Sequence, residues 1–267
     1  MDAHTDGERT DDNAVVSLSG VYKVYELGEP VPVLHDVSLD VPRGSYTAIM
    51  GPSGSGKSTL LNLIGCLDTP TAGEIYIDGT NISKLSDSER ARVRGEKIGF
   101  VFQTFNLMPR LTALENVAMP LSFRDVSREE RTERAESLLA DVGLEGRVDH
   151  KPTELSGGQR QRVAVARALV NDPAIILADE PTGSLDSETS RQIMNLFESL
   201  YQRGNTILMV THERDIAEHA ERIVHVLDGE IERVEELGEK RRVPTVDEGE
   251  RVQNPGEETP EGEAWTS

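Results

Sequence analysis

Short continuous apolar runs, each closed by a polar residue, recur along the chain: SYTAIM at 45–50, IGFVFQ at 98–103, AIILAD at 174–179 and TILMVTH at 206–212. Runs of this length suit parallel strands covered on both faces by helices. Residues 15–27 and 31–41 instead alternate or are rich in β-formers, and Gly28, Glu29 and Pro30 are expected to join them. EIYIDG at 74–79 reads as a short strand ending in a turn, and residues 57–67 as an apolar helix. Between about 110 and 150 the pattern becomes helical and highly charged, as in SREERTERAESLLADVGL. This predicts a helical subdomain set into an α/β core. No internal repeat is visible.

The ends break the pattern. Residues 1–14 and 236–267 are acidic and poor in apolar residues, and the last 25 are rich in Glu, Pro and Gly, so both are expected to be disordered tails. Trp265 lies there without a context that assigns it a role. The remaining 15–235 is expected to form one domain, with the helical subdomain at about 104–160. The acidic N-terminus is unlike a signal peptide, and no run of 18 or more apolar residues exists, so no transmembrane helix is expected. A single cysteine, Cys66, sits in an apolar run; disulfide scaffolding is excluded and a cytosolic location favoured.

Net charge is −20, of which the segments 1–14 and 243–267 carry −4 and −6. Such a balance argues against nucleic-acid binding, which needs a basic face. Only six of the 28 basic residues are lysines. An acidic, lysine-poor surface fits a salt-adapted (halophilic) protein, because screening at molar salt mutes self-repulsion.

The segment GPSGSGKST at 51–59 fits the phosphate-loop pattern G-x-x-x-x-G-K-[ST], with a strand before it and a helix after it. Gly51, Pro52, Ser53, Gly54, Ser55, Gly56, Lys57, Ser58 and Thr59 form the candidate nucleotide cradle. Backbone N–H groups encircle the β-phosphate, Lys57 reaches the β/γ oxygens and Ser58 ligates Mg²⁺. The strand run 174–179 ends in two consecutive acids, a costly arrangement without a cation to face. Asp179 is placed to hold Mg²⁺ and Glu180 to deprotonate the attacking water. Gln103 and His212 close two further runs at the same expected sheet edge. Gln103 suits the metal or its water, and His212 the γ-phosphate.

A second glycine turn opens the helix ELSGGQRQRVAVARAL at 154–169. Ser156 and Gln159 read as a capping box that leaves N–H groups of Gly157 and Gly158 for an anion.

The set GPSGSGKST, Gln103, LSGGQ (155–159), ILADEP (176–181), SLD (184–186) and His212 resembles, in order and spacing, the ATP-binding subunits of ABC transporters. IGCLDTPTAGEIYIDG, FVFQTFNLMPRLTALENV and HKPTELSGGQRQRVAVARAL are similar to the lipoprotein-release and macrolide-efflux branch. The resemblance implies a P-loop NTPase fold: an α/β, RecA-like, mostly parallel sheet, an antiparallel β subdomain and an inserted α-helical subdomain. It implies an ATPase with ATP and Mg²⁺, working as a head-to-tail homodimer with each ATP between one P-loop and the other subunit's LSGGQ turn. By resemblance, Tyr25 stacks on adenine (Tyr22 being the nearby alternative) and Asp186 links the two sites. Residues 105–109 then meet an integral membrane permease, a separate polypeptide that provides the only membrane contact, at the inner face of the cell membrane. Mechanotransmission without transport, as in cell-division relatives, is the alternative.

Overall fold

The computed structural model describes residues 13–238 and 241–242. The expected tails, including Trp265, lie largely outside the described residues.

A long hairpin opens the fold. β1 (Ala14–Leu27) and β2 (Glu29–Pro42) pair antiparallel, and Leu27 already faces Glu29. The connection is therefore Gly28 alone, with φ +99°, rather than the three residues expected; Glu29 and Pro30 belong to the strand. β3 (Tyr46–Met50) follows, then α1 (Lys57–Ile64), β4 (Ala72–Ile77) and β5 (Thr80–Asn81). β4 pairs with β1, giving a four-stranded sheet ordered β2-β1-β4-β5.

α1 is shorter than the apolar run suggests. Gly65 caps it, its N–H donating to the Leu61 carbonyl, and Cys66 then turns the chain at φ +55°; a Cβ on Gly65 would lie 2.3 Å from the Phe100 ring, so no side chain fits there. α2 (Asp87–Lys97), started by a Ser86–Glu89 capping box, leads to β6 (Ile98–Phe102).

The charged stretch folds as α3 (Ala113–Ala118), a 3₁₀ turn and α4 (Arg128–Asp141), packed against α5 (Gly157–Leu169) around Val117, Leu121, Leu139 and Val163. α5 runs past the expected end of the helical subdomain and crosses β6, where a Cβ on Gly99 would lie 2.4 Å from the Ala168 carbonyl.

β7 (Ile175–Asp179), the amphipathic α6 (Ser187–Gln202), β8 (Ile207–Thr211), α7 (Arg214–Ala217), β9 (Arg222–Leu227) and β10 (Glu230–Glu236) complete the chain. The second sheet is ordered β10-β9-β3-β8-β7-β6, and only β10 runs antiparallel to its neighbour. β3, β7 and β8 are buried almost throughout, as strands covered on both faces must be. α1 and the first sheet cover one face, and α6 the other through Ile193, Met194, Phe197 and Leu200.

The region after 235 is not all tail. Leu237 is buried, and its N–H donates to the Glu221 carbonyl. Arg241 pairs with the buried Glu198 and lies 4.6 Å from the Tyr201 ring centre.

Candidate active site

Parallel pairing puts the carboxyl ends of the core strands on one edge. Met50 is level with Thr211 and His225, and Asp179 with Phe102 and Val210. The residues after each of these ends therefore share one crevice, the usual ligand side of an open α/β sheet.

The loop after β3 depends on glycine. Gly54 and Gly56 take φ +82° and +100°, and a Cβ on Gly56 would lie 2.8 Å from Leu34 Cδ2. Gly51 is packed tighter still, its absent Cβ 2.1 Å from the Val226 carbonyl. Lys57 begins α1, and its Nζ donates to the Gly51 and Pro52 carbonyls at 2.8 and 2.7 Å. Burial lowers the Lys57 pKa, while the charges of Glu180 and Asp179 oppose that shift.

Across the crevice, burial and then the neighbouring Glu180 raise the Asp179 pKa, with Lys57 opposing them. Glu180 sits at φ +46°, a strained conformation for a non-glycine residue, held by its N–H donating to the Val210 carbonyl at 2.9 Å. His212 Nδ1 meets Glu180 Oε1 at 2.8 Å, and that contact raises the His212 pKa. Gln103 lies against the turn after Glu180, its Nε2 2.8 Å from where a Cβ on Gly183 would stand.

A cavity of about 750 Å³ is lined by Gly51, Pro52, Ser53, Gly54, Lys57, Ser58, Glu180 and His212. Ser156, Gly157, Gly158, Gln159 and Asp186 are not among its lining residues, and neither are Tyr25, Ser55, Gly56, Thr59, Gln103 and Asp179. Ser156 Oγ accepts from the Gln159 N–H at 3.3 Å and Gln159 Oε1 from the Ser156 N–H at 3.0 Å, closing the capping box at the start of α5. Gly158 also has a reason inside its own chain: a Cβ would lie 2.5 Å from Thr189 Cγ2. Asp186 caps α6, accepting from the Glu188 and Thr189 N–H groups and from the Thr189 hydroxyl. Those bonds, from Thr189 first, lower its pKa. Tyr25 stands beside the cradle, hydrogen-bonded to Asp68 and interacting with Thr59 at the start of α1.

Two groups escaped the sequence reading. Gln161 is fully buried, and its Nε2 donates to the Pro181 carbonyl at 2.6 Å and to the Phe102 carbonyl at 3.4 Å. It ties α5 to the turns that carry Glu180 and Gln103. The available signal was a polar side chain three residues after Gly158 and four before Val165, on the apolar face of α5. The second is the β9–β10 hairpin, from which His225 and Glu232 also line the cavity. Its turn residue Gly229 donates its N–H to the Ser55 carbonyl at 3.0 Å and accepts from the His35 N–H at 2.9 Å. Asp228-Gly229 between two β-rich runs is the sequence signal for that turn.

The family model described as "ABC transporter" matches residues 34–183. An ABC transporter ATP-binding protein of Bacillus subtilis, YvrO, is 54% identical over 218 residues, covering 81% of this chain and 95% of that protein. The ATP-binding/permease protein MacB of Escherichia coli, for macrolide export, is 51% identical over 81% of this chain, which spans 34% of that longer protein. Among solved structures, the ATP-binding cassette MJ0796, a dimer in a post-hydrolysis state bound to ADP and Pi, superposes with a TM-score of 0.77 at 52% identity, covering 83% of this chain and 98% of that one. The MJ0796 counterpart among curated proteins comes from Methanocaldococcus jannaschii and is 53% identical over 84% of this chain and 97% of its own length.

Proposed function

The chain belongs to the ABC transporter ATP-binding family, and from that premise we propose that it hydrolyses ATP as a homodimer and thereby drives a separate membrane permease of the export type, at the inner face of the membrane. The observation that carries this reading is the division of the site. One cavity gathers the phosphate loop, Glu180 and His212, while the capped turn at Ser156–Gly158 lies outside it. A second copy of the chain brings that turn over the nucleotide held by the first.

The residues at the crevice suit a divalent cation. Asp179 and Glu180 are consecutive acids, and burial plus their mutual repulsion raises the Asp179 pKa even with Lys57 opposing. The Ser58 hydroxyl, the Gln103 carboxamide and the Asp179 carboxylate offer the hard oxygen donors that Mg²⁺ prefers. When bound, Mg²⁺ neutralises charge that develops on the phosphate oxygens. The rest belongs to the chain. Loop N–H groups between Gly54 and Ser58 and the Lys57 ammonium hold the β- and γ-phosphates. Glu180 takes the proton from the attacking water. His212, in contact with Glu180 at 2.8 Å, orients that carboxylate and reaches toward the γ-phosphate. Tyr25 receives the adenine and Asp186 stands at the contact between subunits.

An apolar groove of about 700 Å³, lined by Phe100, Phe102, Asn106, Met119 and Phe123, supports docking of a permease helix beside residues 105–109. Phe123 is 83% exposed there, and Arg167 supports the groove's edge by donating to the Phe105 and Asn106 carbonyls.

Ser156→Arg tests the shared site. Hydrolysis is expected to vanish while each subunit still binds ATP, because the defect lies on the other subunit's nucleotide; loss of binding by the isolated subunit would contradict the cross-subunit reading. The net charge of −20 supports a further part of the proposal, function at high salt. Melting curves from low to molar KCl test it, and full stability at low salt would remove it.

A further inference from the structure

The Tyr25 ring is held on two sides. Lys23 and Tyr25 are two residues apart on β1 and so share one face of the strand. Lys23 is 7% exposed, and its Nζ lies 4.6 Å from the centre of the Tyr25 ring, covering one face. The ring's far end is fixed too, since the Tyr25 hydroxyl donates to Asp68 Oδ2 at 2.8 Å.

Asp68 is the centre of this arrangement. Its Oδ1 accepts from Lys23 Nζ at 2.6 Å and from the Thr69 N–H at 2.7 Å, and Lys23 also donates to the Thr69 carbonyl at 2.8 Å. Burial works to raise the Asp68 pKa, but the bonds from Lys23, Thr69 and Tyr25 outweigh it, and the carboxyl stays below its ordinary value. The carboxylate therefore persists as the acceptor of both side chains.

The position of Asp68 in the chain gives the cluster its meaning. α1 begins at Lys57, in the phosphate cradle, and the turn that ends it carries Asp68, whose N–H donates to the Asn62 carbonyl. β1 belongs to a different sheet from the cradle's strand β3. The Lys23–Asp68–Tyr25 cluster thus ties the far end of the cradle's helix to the strand that carries Tyr25. Thr71 adds to the tie: its N–H donates to the Tyr22 carbonyl and its hydroxyl accepts from the Val24 N–H.

We propose that Asp68, with Lys23, is the positioning residue for base binding: it locks the Tyr25 ring at a set place relative to the phosphate loop and leaves one ring face, opposite the Lys23 ammonium, for the purine. The proposal rests on the reading of Tyr25 as the adenine platform. Its selectivity follows from the geometry, because the phosphates bind through the loop and the base through the ring. A loosened ring weakens nucleotide binding but not binding of the bare phosphate chain.

The experiment compares ADP with inorganic pyrophosphate by calorimetric titration of the full chain, using ligands that are not hydrolysed. Tyr25→Ala is expected to weaken ADP about tenfold, the order of one base–aromatic stack, with pyrophosphate unchanged. Asp68→Asn is expected to weaken ADP several-fold with pyrophosphate unchanged, and to add nothing in a Tyr25→Ala background. Tyr25→Phe keeps the ring and deletes its hydroxyl's contacts with Asp68 and Thr59, so it tests whether fixing the ring through the hydroxyl matters should Asp68→Asn fold poorly; a several-fold selective loss is expected again. If Tyr25→Ala acts selectively while both Asp68→Asn and Tyr25→Phe match the wild type, the positioning role is overturned and the platform stands. Equal losses for both ligands in Asp68→Asn would mark a merely structural residue and overturn it as well. If Tyr25→Ala is not selective, the platform itself falls and the proposal with it.

Discussion

Glu180 and His212, 32 positions apart in the chain, meet at 2.8 Å between Oε1 and Nδ1. Parallel pairing of β7 with β8 creates this contact, because Asp179 lies level with Val210 and the residues that follow both strands turn into the same crevice. The positive φ of Glu180 aims its carboxylate there.

Glu180→Gln removes the proposed base but keeps size and hydrogen-bonding capacity. ATP turnover is expected to fall by about 10²–10⁴-fold, the usual share of general-base catalysis. ATP binding remains, and the nucleotide-bound dimer accumulates as an earlier peak in size-exclusion chromatography. Turnover near the wild-type rate would remove Glu180 from that role.

The His212 contact has a pH signature. Its hydrogen bond to Glu180, and then the carboxylate's charge, raise the His212 pKa above 6.5. A raised histidine stabilises the fold below the unfolded-state value, and that contribution is lost as pH rises through the folded-state value. An NMR titration of the imidazole is expected to give a midpoint above 6.5 in the wild type, shifted down toward 6.5 in Glu180→Gln. An unshifted midpoint in the variant would mean that the contact is not populated in solution.

Gly158 separates packing from ligand binding. An alanine Cβ would lie 2.5 Å from Thr189 Cγ2, while the Thr189 hydroxyl is bound to Asp186 and cannot swing aside freely. Gly158→Ala is expected to lose about 1–2 kcal/mol in urea denaturation, after the gain in helix propensity is allowed for. Adding Thr189→Ser, which removes that methyl and keeps the hydroxyl, should restore stability. If stability returns and hydrolysis does not, the glycine also serves the nucleotide.

The hairpin turn behind the phosphate loop predicts a sharper loss. Gly229 has φ +82°, and a Cβ would lie 2.4 Å from the Val33 carbonyl, an atom of the backbone. Gly79 has a similar φ of +77° but open space around it, so Gly79→Ala reports the cost of the backbone alone. Gly229→Ala is expected to lose about 2 kcal/mol more than that control and to weaken ATP, since the Gly229 N–H holds the Ser55 carbonyl of the loop. Equal effects of the two substitutions, by thermal melting, would deny the turn its bracing role.

Much of this protein was written locally. The runs at 45–50, 98–103, 174–179 and 206–212 announce buried strands because strands covered on both faces need apolar residues at every position. The phosphate loop and the Ser156–Gln159 box are equally legible, since phosphate cradling and helix capping act over a few neighbouring residues. Other features depend on distances that no local pattern carries. Position 65 must be glycine because Phe100 lies against it, and Arg241 belongs to the domain because Glu198 and Tyr201 receive it. The second glycine turn shows both levels at once: Ser156 and Gln159 state a capped helix start by themselves. Only the packing of α5 on α6 reveals that Gly158 must also clear Thr189, because the cost of a methyl group depends on what stands a few ångströms away.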